Sequence, residues 1–199
     1  MASTLILASS SPYRRALLKQ LHLPFQTASP HINEDAKPGE AAGALALRLA
    51  QEKSRALMRD NPQSLIIGSD QVAECRGQIL GKPGNRDKAI AQLQACSGNK
   101  VTFHTGLSLL ESASNRQVST VETFTVYFRP LSLPQIEKYI ELEEPYDCAG
   151  SFKVEGLGIA LFEKLDGTDI NTLIGLPLIR LVDLLGEFGI DPLKSTAKS

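Results

Sequence analysis

Four consecutive apolar residues, Leu5–Ile6–Leu7–Ala8, run directly into Ser9–Ser10–Ser11 and Pro12, and this junction constrains the 199-residue chain more than any other stretch. An unbroken apolar run of this length predicts a buried strand. The serines stop it. Proline, with its fixed φ and missing N–H, favours the first turn of a helix. In that helix Leu17, Leu18 and Leu21 share one face, and Arg14 falls on the same stripe. Leu65–Ile66–Ile67 is a second buried-strand run, expected to deliver Gly68, Ser69 and Asp70 at its C-terminal end. Between the two runs, Phe25–Ala28 reads as a weaker strand, 31–39 as a loop and 41–59 as the clearest helix. Leu45, Leu49 and Ala56 line one flank of that helix. Ala46, Ala50, Lys53 and Leu57 are spaced by four, three and four residues, so Lys53 is a cation beside an apolar stripe.

Beyond Asp70, 74–79 contains Gly77 and predicts a hairpin, and a helix follows to about Gln94. The period then changes. Val101, Phe103, Leu107 and Leu109 alternate with polar residues, as do Phe124, Val126 and Phe128, which predicts two long half-buried strands. A short helix over 133–142, strands over 149–152 and 157–162, and an amphipathic helix carrying Leu178, Leu181, Val182 and Leu185 complete the chain. Helices and strands interleave around a long hairpin. The expected class is therefore α/β (mixed α+β), a mixed sheet with flanking helices, in one domain spanning 1–199.

Composition excludes more than it names. Apolar residues make up 42% and charged residues 22%, ample to bury a core, which argues against intrinsic disorder. Lys plus Arg is 21 against 22 for Asp plus Glu, so there is no basic excess of the kind a general nucleic-acid binder shows. No apolar run is long enough to cross a bilayer. The opening residues carry their basic pair after the apolar stretch, the reverse of a secretory signal. Cys75, Cys96 and Cys148 are far apart and form no CxxC pair, so they read as reduced, packed thiols of a cytoplasmic protein. His22, His31 and His104 show no metal-ligand spacing.

Chemistry is concentrated in a few places. A strand followed by Ser9–Ser11 and a helix start presents unpaired N–H groups and hydroxyls to an anion, and Arg14 can fork two phosphate oxygens. The same residues could instead be a helix cap with solvated arginines. Asp70 after a buried strand sits where open sheets place their sites, able to bind a divalent cation or take a proton from water, or else to cap a turn. Lys53 and Lys82 can neutralise phosphates or lie in solvent, and Glu34 stands in a polar loop. Together these are the equipment of phosphoanhydride hydrolysis, with no covalent nucleophile required.

The chain also resembles the Maf family of nucleotide pyrophosphatases. The matching segments are LILASSSPYRRALL at the start, INE at 32–34, RLAQEKS at 48–54, IIGSDQV at 66–72, GKP at 81–83, SGNKVTFHTGL at 97–107, CAGSFKVEG at 148–156 and NTLIGLP at 171–177. They occur in order along most of the chain. The resemblance implies cleavage of a nucleoside triphosphate between its α and β phosphates, a divalent metal (Mg²⁺ or Mn²⁺), and an elongated fold like that of the inosine triphosphate pyrophosphatases, with a cleft between two lobes. It implies Asp70 as proton acceptor and metal ligand, Glu34 as metal ligand, Lys82 as a catalytic cation, and Ser9, Arg14 and Lys53 as phosphate contacts. Asn33 departs from a common family form that has Asp there.

Within the family, Tyr13, Gln71 and Glu155 resemble the branch acting on 7-methylguanosine triphosphate. The thymidine and uridine triphosphate branch usually has Arg, Thr and Gln at these places. The chemistry agrees. N7 methylation gives guanine a delocalised positive charge that a tyrosine face attracts, by roughly 0.5–2 kcal/mol. Glu155 can accept from N1–H and N2–H, and Gln71 can donate and accept. The alternative is Tyr13 packed on Leu17 with Glu155 solvated. The expected partner is a small nucleotide, not nucleic acid or membrane, and the resemblance leaves a homodimer open. The rival readings are dTTP, UTP or another modified nucleotide as substrate, or a nucleotide sensor of cell division that binds without turnover.

Overall fold

In the computed structural model, which describes residues 4–194, the first apolar run is strand β1 (Thr4–Ala8). It pairs in parallel with β2 (Phe25–Ala28) on one side and β3 (Ser64–Cys75) on the other, with Leu5 opposite Phe25 and Leu65, and Ala8 opposite Ala28 and Gly68. Parallel neighbours need helical crossovers, and these cover both faces of the strands. Helix α1 (Pro12–Lys19) connects β1 to β2, and its Leu17 and Leu18 pack with Leu5, Leu7, Leu65 and Ile67. Helix α2 (Ala42–Ala56) connects β2 to β3, and Leu57 at its end packs with Ile6, Ala8 and Ile66. Odd and even residues of one strand thus serve opposite layers, which is why the run has no polar position. Because β1 has neighbours reached by crossovers on opposite faces, its C-terminal end is a topological switch point, where open sheets bind ligands.

The remaining elements are β4 (Gln78–Leu80), α3 (Arg86–Cys96), β5 (Lys100–Glu111), β6 (Arg116–Phe128), α4 (Leu133–Glu143), β7 (Phe162–Gly167), α5 (Ile170–Ile174) and α6 (Leu178–Glu187). The seven strands run in the order β2-β1-β3-β5-β6-β7, with β4 paired antiparallel to β3 across Arg76 and Gly77. Mixed α/β architecture with flanking helices is what the alternating pattern predicts. The chain divides into two compact units. The first comprises the described residues up to Gln71, Thr105–Glu122 and those from Asp169 on, with α1 and α6 over one face of its strands. The second comprises Val72–His104 and Thr123–Thr168. Its core holds Phe103, Phe128, Phe152 and Phe162, whose rings meet edge to face at centroid distances of 4.8–5.6 Å. That geometry suits the aromatic quadrupole.

Two glycines set how α2 lies on the first unit's strands. A Cβ on Gly68 of β3 would fall 2.0 Å from the Ala50 carbonyl oxygen, and one on Gly106 of β5 would fall 2.1 Å from that of Ala46. The helix backbone therefore rests directly on the sheet, and Lys53, one turn beyond Ala50, is carried over β3.

The structure corrects three expectations. Strand β3 does not end at Ile67; it continues to Cys75, so Gly68, Ser69 and Asp70 lie inside it. The polar residues are tolerated because each is bonded inward: Ser69 Oγ donates to the carbonyls of Gly106 and Gly175, and Asp70 meets Lys53. Residues 149–152 form turns, not a strand, because Gly150 and Ser151 take φ of +80° and +63°. Leu157–Leu161 is a 3₁₀ segment. Leu157 and Ile159 are exposed there, and the strand β7 begins only at Phe162, opposite Phe128. Helix α5 leaves no mark in the sequence pattern, since five residues are too few for a periodicity to show.

Gly68→Ala is expected to destabilise the protein by about 1–3 kcal/mol, since the added methyl meets backbone that cannot swing aside. Gly186→Ala in α6, where a Cβ meets nothing within 4 Å, should be neutral or stabilising by about 0.5–1 kcal/mol. Urea denaturation of the two variants checks the contrast.

Candidate active site

The serine loop at the end of β1 is partly structural. Ser11 is the N-cap of α1, its Oγ accepting from Arg14 N–H at 3.4 Å, and Pro12 occupies the first turn. Buried Ser9 accepts from Ser11 N–H at 3.1 Å, which leaves its hydroxyl proton to give. A cavity of about 440 Å³ opens beside this loop, lined by the three serines, Arg15, Lys19 and Thr27 among others, with no carboxylate in its wall. That lining suits an anion.

Arg14 leans across the loop. Its Nε donates to the Gly175 carbonyl at 2.8 Å, and the same oxygen accepts from Ser69. Gly175 caps α5 with φ +116°, and a Cβ there would lie 3.3 Å from Arg14 Nε, so glycine is required both for the turn and for the approach. Burial lowers the pKa of the guanidinium, while the charges of Asp70 and Glu34 raise it. With Nε committed, the two terminal nitrogens remain for a ligand.

Lys53 is the centre of the constellation. It is 6% exposed, and its Nζ lies 2.6 Å from Asp70 Oδ1 and 2.8 Å from Glu34 Oε1. The ammonium has three protons, so one is left over. Lys53 and Arg14 bring two positive charges against the two negative charges of Asp70 and Glu34. The cluster is locally neutral, and a triphosphate arriving there needs further positive charge.

Glu34 stands in the irregular segment between β2 and α2, which α2 holds in place. Arg48 forks Glu40, Nε to Oε1 at 2.7 Å and Nη2 to Oε2 at 2.8 Å, donates to the Asp35 carbonyl at 3.0 Å and reaches Glu52 at 3.1 Å. Asn33 Oδ1 accepts from Asp35 N–H at 2.9 Å. An amide oxygen does this as well as a carboxylate, so Asn33 keeps the turn that Asp would make.

A family model described as Maf-like protein matches residues 4–188. The chain belongs to the Maf family. Among curated proteins, 7-methyl-GTP pyrophosphatase of Pseudoalteromonas atlantica is 59% identical over 94% of this chain and 96% of its own length. The proteins of the same description from Pseudomonas aeruginosa and Colwellia psychrerythraea are 56% and 51% identical, covering 94% and 98% of this chain and 97% and 98% of their own.

Ser9, Arg14, Glu34, Lys53 and Asp70 of this Maf chain all fall in the first unit, tied by the contacts above. Tyr13 is half-buried on α1 beside them in sequence. Gln71 also lies there, but its amide nitrogen is turned onto Thr105 Oγ1 and the carbonyls of Thr172 and Leu173, at 3.2, 2.7 and 3.1 Å. Its donor side is thus used by α5, and only its oxygen can serve a ligand. Lys82 and Glu155 belong to the second unit, where both are exposed. Among the described residues no group of three or more His, Cys, Asp and Glu could hold a metal by themselves, and His104 is instead placed 3.3 Å from Glu74. The cysteines are free; Cys75 and Cys96 are packed in the core as neighbours, whereas Cys148 is only half-buried, against the expectation of packing for all three. Burial, with Cys75 beside it, pushes the Cys96 thiol up to about 12.

The sequence assigns no role of their own to Arg48, Ser69, Thr105 and Gly175, although each lies in a segment that carries the family resemblance. Arg48 stands five residues before Lys53 on α2, a signal only if the loop were already known to lie against that helix.

The Arg48 fork, with the Lys37 N–H, holds the Glu40 carboxyl down to about 2 from its ordinary 4.5. Because the folded value is the lower one, the fork's contribution is complete above 4.5 and is lost as pH falls toward about 2. Carbon NMR of the labelled side chain should show Glu40 titrating well below the ordinary 4.5, and Arg48→Ala should raise it most of the way back, the Lys37 N–H bond remaining.

Proposed function

We propose that this chain hydrolyses 7-methyl-GTP to 7-methyl-GMP and pyrophosphate, clearing a modified nucleotide from the cytoplasm. The observation that carries this reading is the buried Lys53 ammonium held between the carboxylates of Asp70 and Glu34, with Arg14 charged beside them. The family membership and the description shared by the relatives support the substrate class.

In this reading Asp70 accepts a proton from water. The water oxygen bonds to phosphorus as the α–β anhydride bond breaks, and the electron pair leaves with pyrophosphate. Lys53 orients Asp70 and offers its third proton to a phosphate oxygen. The terminal nitrogens of Arg14 and the Ser9 hydroxyl hold other phosphate oxygens, and Lys82 offsets the charge gathering on the departing pyrophosphate. The residues present fit a divalent cation of the Mg²⁺ or Mn²⁺ kind, which binds through one or two carboxylates and completes its shell with water and substrate phosphates. Glu34 and Asp70 would hold it, and when bound it supplies the positive charge that the neutral cluster lacks.

Selectivity is assigned to the base. The Tyr13 ring faces the cationic methylated purine, Glu155 accepts from N1–H and N2–H, and the Gln71 oxygen accepts a further N–H. A neutral pyrimidine offers Glu155 neither the paired N1–H and N2–H donors nor the positive charge of the methylated purine, and so pairs with it poorly.

Asp70→Asn should lower kcat about 10²- to 10⁴-fold with the fold intact by circular dichroism. Near-parental turnover would remove the assigned role. A panel of nucleoside triphosphates with Mg²⁺ or Mn²⁺, products resolved by chromatography, should rank 7-methyl-GTP first. A preference for dTTP or UTP, or tight binding without release of pyrophosphate, would replace this reading by one of its rivals. Glu155→Gln should narrow the gap between 7-methyl-GTP and GTP roughly tenfold, the worth of about 1.4 kcal/mol.

A further inference from the structure

The Glu34 side chain is 59% exposed and stands on a segment with no strand or helix of its own, so burial cannot be what fixes it. Helix α2 holds it at two points. Lys53 takes the Glu34 carboxylate itself. Arg48 takes the backbone: Nη2 bonds the carbonyl of Asp35, the next residue along, and together with Nε grips Glu40, whose Oε2 also accepts from Lys37 N–H at 2.9 Å, while Nη1 bonds Glu52. Glu34 is thereby bracketed, with the Asn33 side chain closing a turn on Asp35 N–H from the other side. Only a planar fork can make these bonds at once; a lysine has the charge without the geometry. Arg48 touches neither Asp70 nor Lys53 by any of these bonds; the part of the site it bonds directly is the loop.

We infer that Arg48 is a positioning residue for the cation-binding carboxylate, holding the Glu34 loop against α2 before metal and nucleotide arrive. This rests on the reading that Glu34 and Asp70 hold the divalent cation. Groups that orient a metal-binding carboxylate typically change metal affinity by about 10–100-fold when removed.

The test uses the nucleotide-free protein, titrated with Mn²⁺ and followed by the relaxation enhancement of water protons, with amide hydrogen exchange across 33–40 as a second readout. Arg48→Ala is expected to raise the Mn²⁺ dissociation constant about tenfold and to speed exchange in that segment, while circular dichroism stays parental. Arg48→Lys should recover only part of the loss. Glu40→Gln should move both readouts in the same direction by less, and it decides the matter if Arg48→Ala fails to fold. Glu34→Gln is the control for the reading beneath. If Glu34→Gln weakens Mn²⁺ binding but the Arg48 and Glu40 variants bind as the parent does, the inference is overturned and the metal reading stands. If Glu34→Gln itself binds Mn²⁺ as the parent does, the metal reading falls and takes the inference with it.

Discussion

A lysine ammonium buried between two carboxylates is stable only if something places all three groups with little freedom, because an unpaired buried charge costs several kcal/mol. Here the placement comes from α2 lying flush on the strands. Gly68 and Gly106 leave no side chain between helix backbone and sheet, so Lys53 reaches Asp70 at 2.6 Å. A methyl at either glycine would lift the helix and separate the pair. The catalytic reading therefore depends on a packing feature with no chemistry of its own.

The same economy appears around Arg14. At the end of the short α5 the Thr172 carbonyl accepts from the Gly175 N–H, but those of Leu173 and Gly175 would be orphaned, as helix C-termini are, without side-chain partners. Gln71 and Thr105 bond that of Thr172, Gln71 that of Leu173, and Ser69 and Arg14 that of Gly175. Capping the helix and aiming the guanidinium are one arrangement. It also limits what Gln71 can do, since an amide whose nitrogen is committed to α5 has only its oxygen free for a ligand.

Parts of this were legible from the chain alone because they are local. The Leu5–Ala8 run, the Ser11–Pro12 helix start and the Arg76–Gly77 hairpin each follow from a few adjacent residues. The apolar pattern also placed Lys53 beside the buried stripe of α2. Strand β3 is not legible past Ile67, because Ser69 and Asp70 look like a stop until their inward partners are known. Residues 149–152 failed for the opposite reason: apolar content suggested a strand, while the left-handed backbone at Gly150 and Ser151 forbids one.

What the sequence by itself determined is the inventory and the order: buried strands with helices between them, a serine loop opening a helix, and the ordered motifs of the Maf family. What only the tertiary structure decided is which of these groups meet. Lys53 and Asp70 are separated by 17 positions, and Arg14 and Gly175 by 161. Contacts over such distances are set by how closely helix and sheet approach, and that depends on missing side chains at Gly68, Gly106 and Gly175, whose effect appears only once the chain is folded.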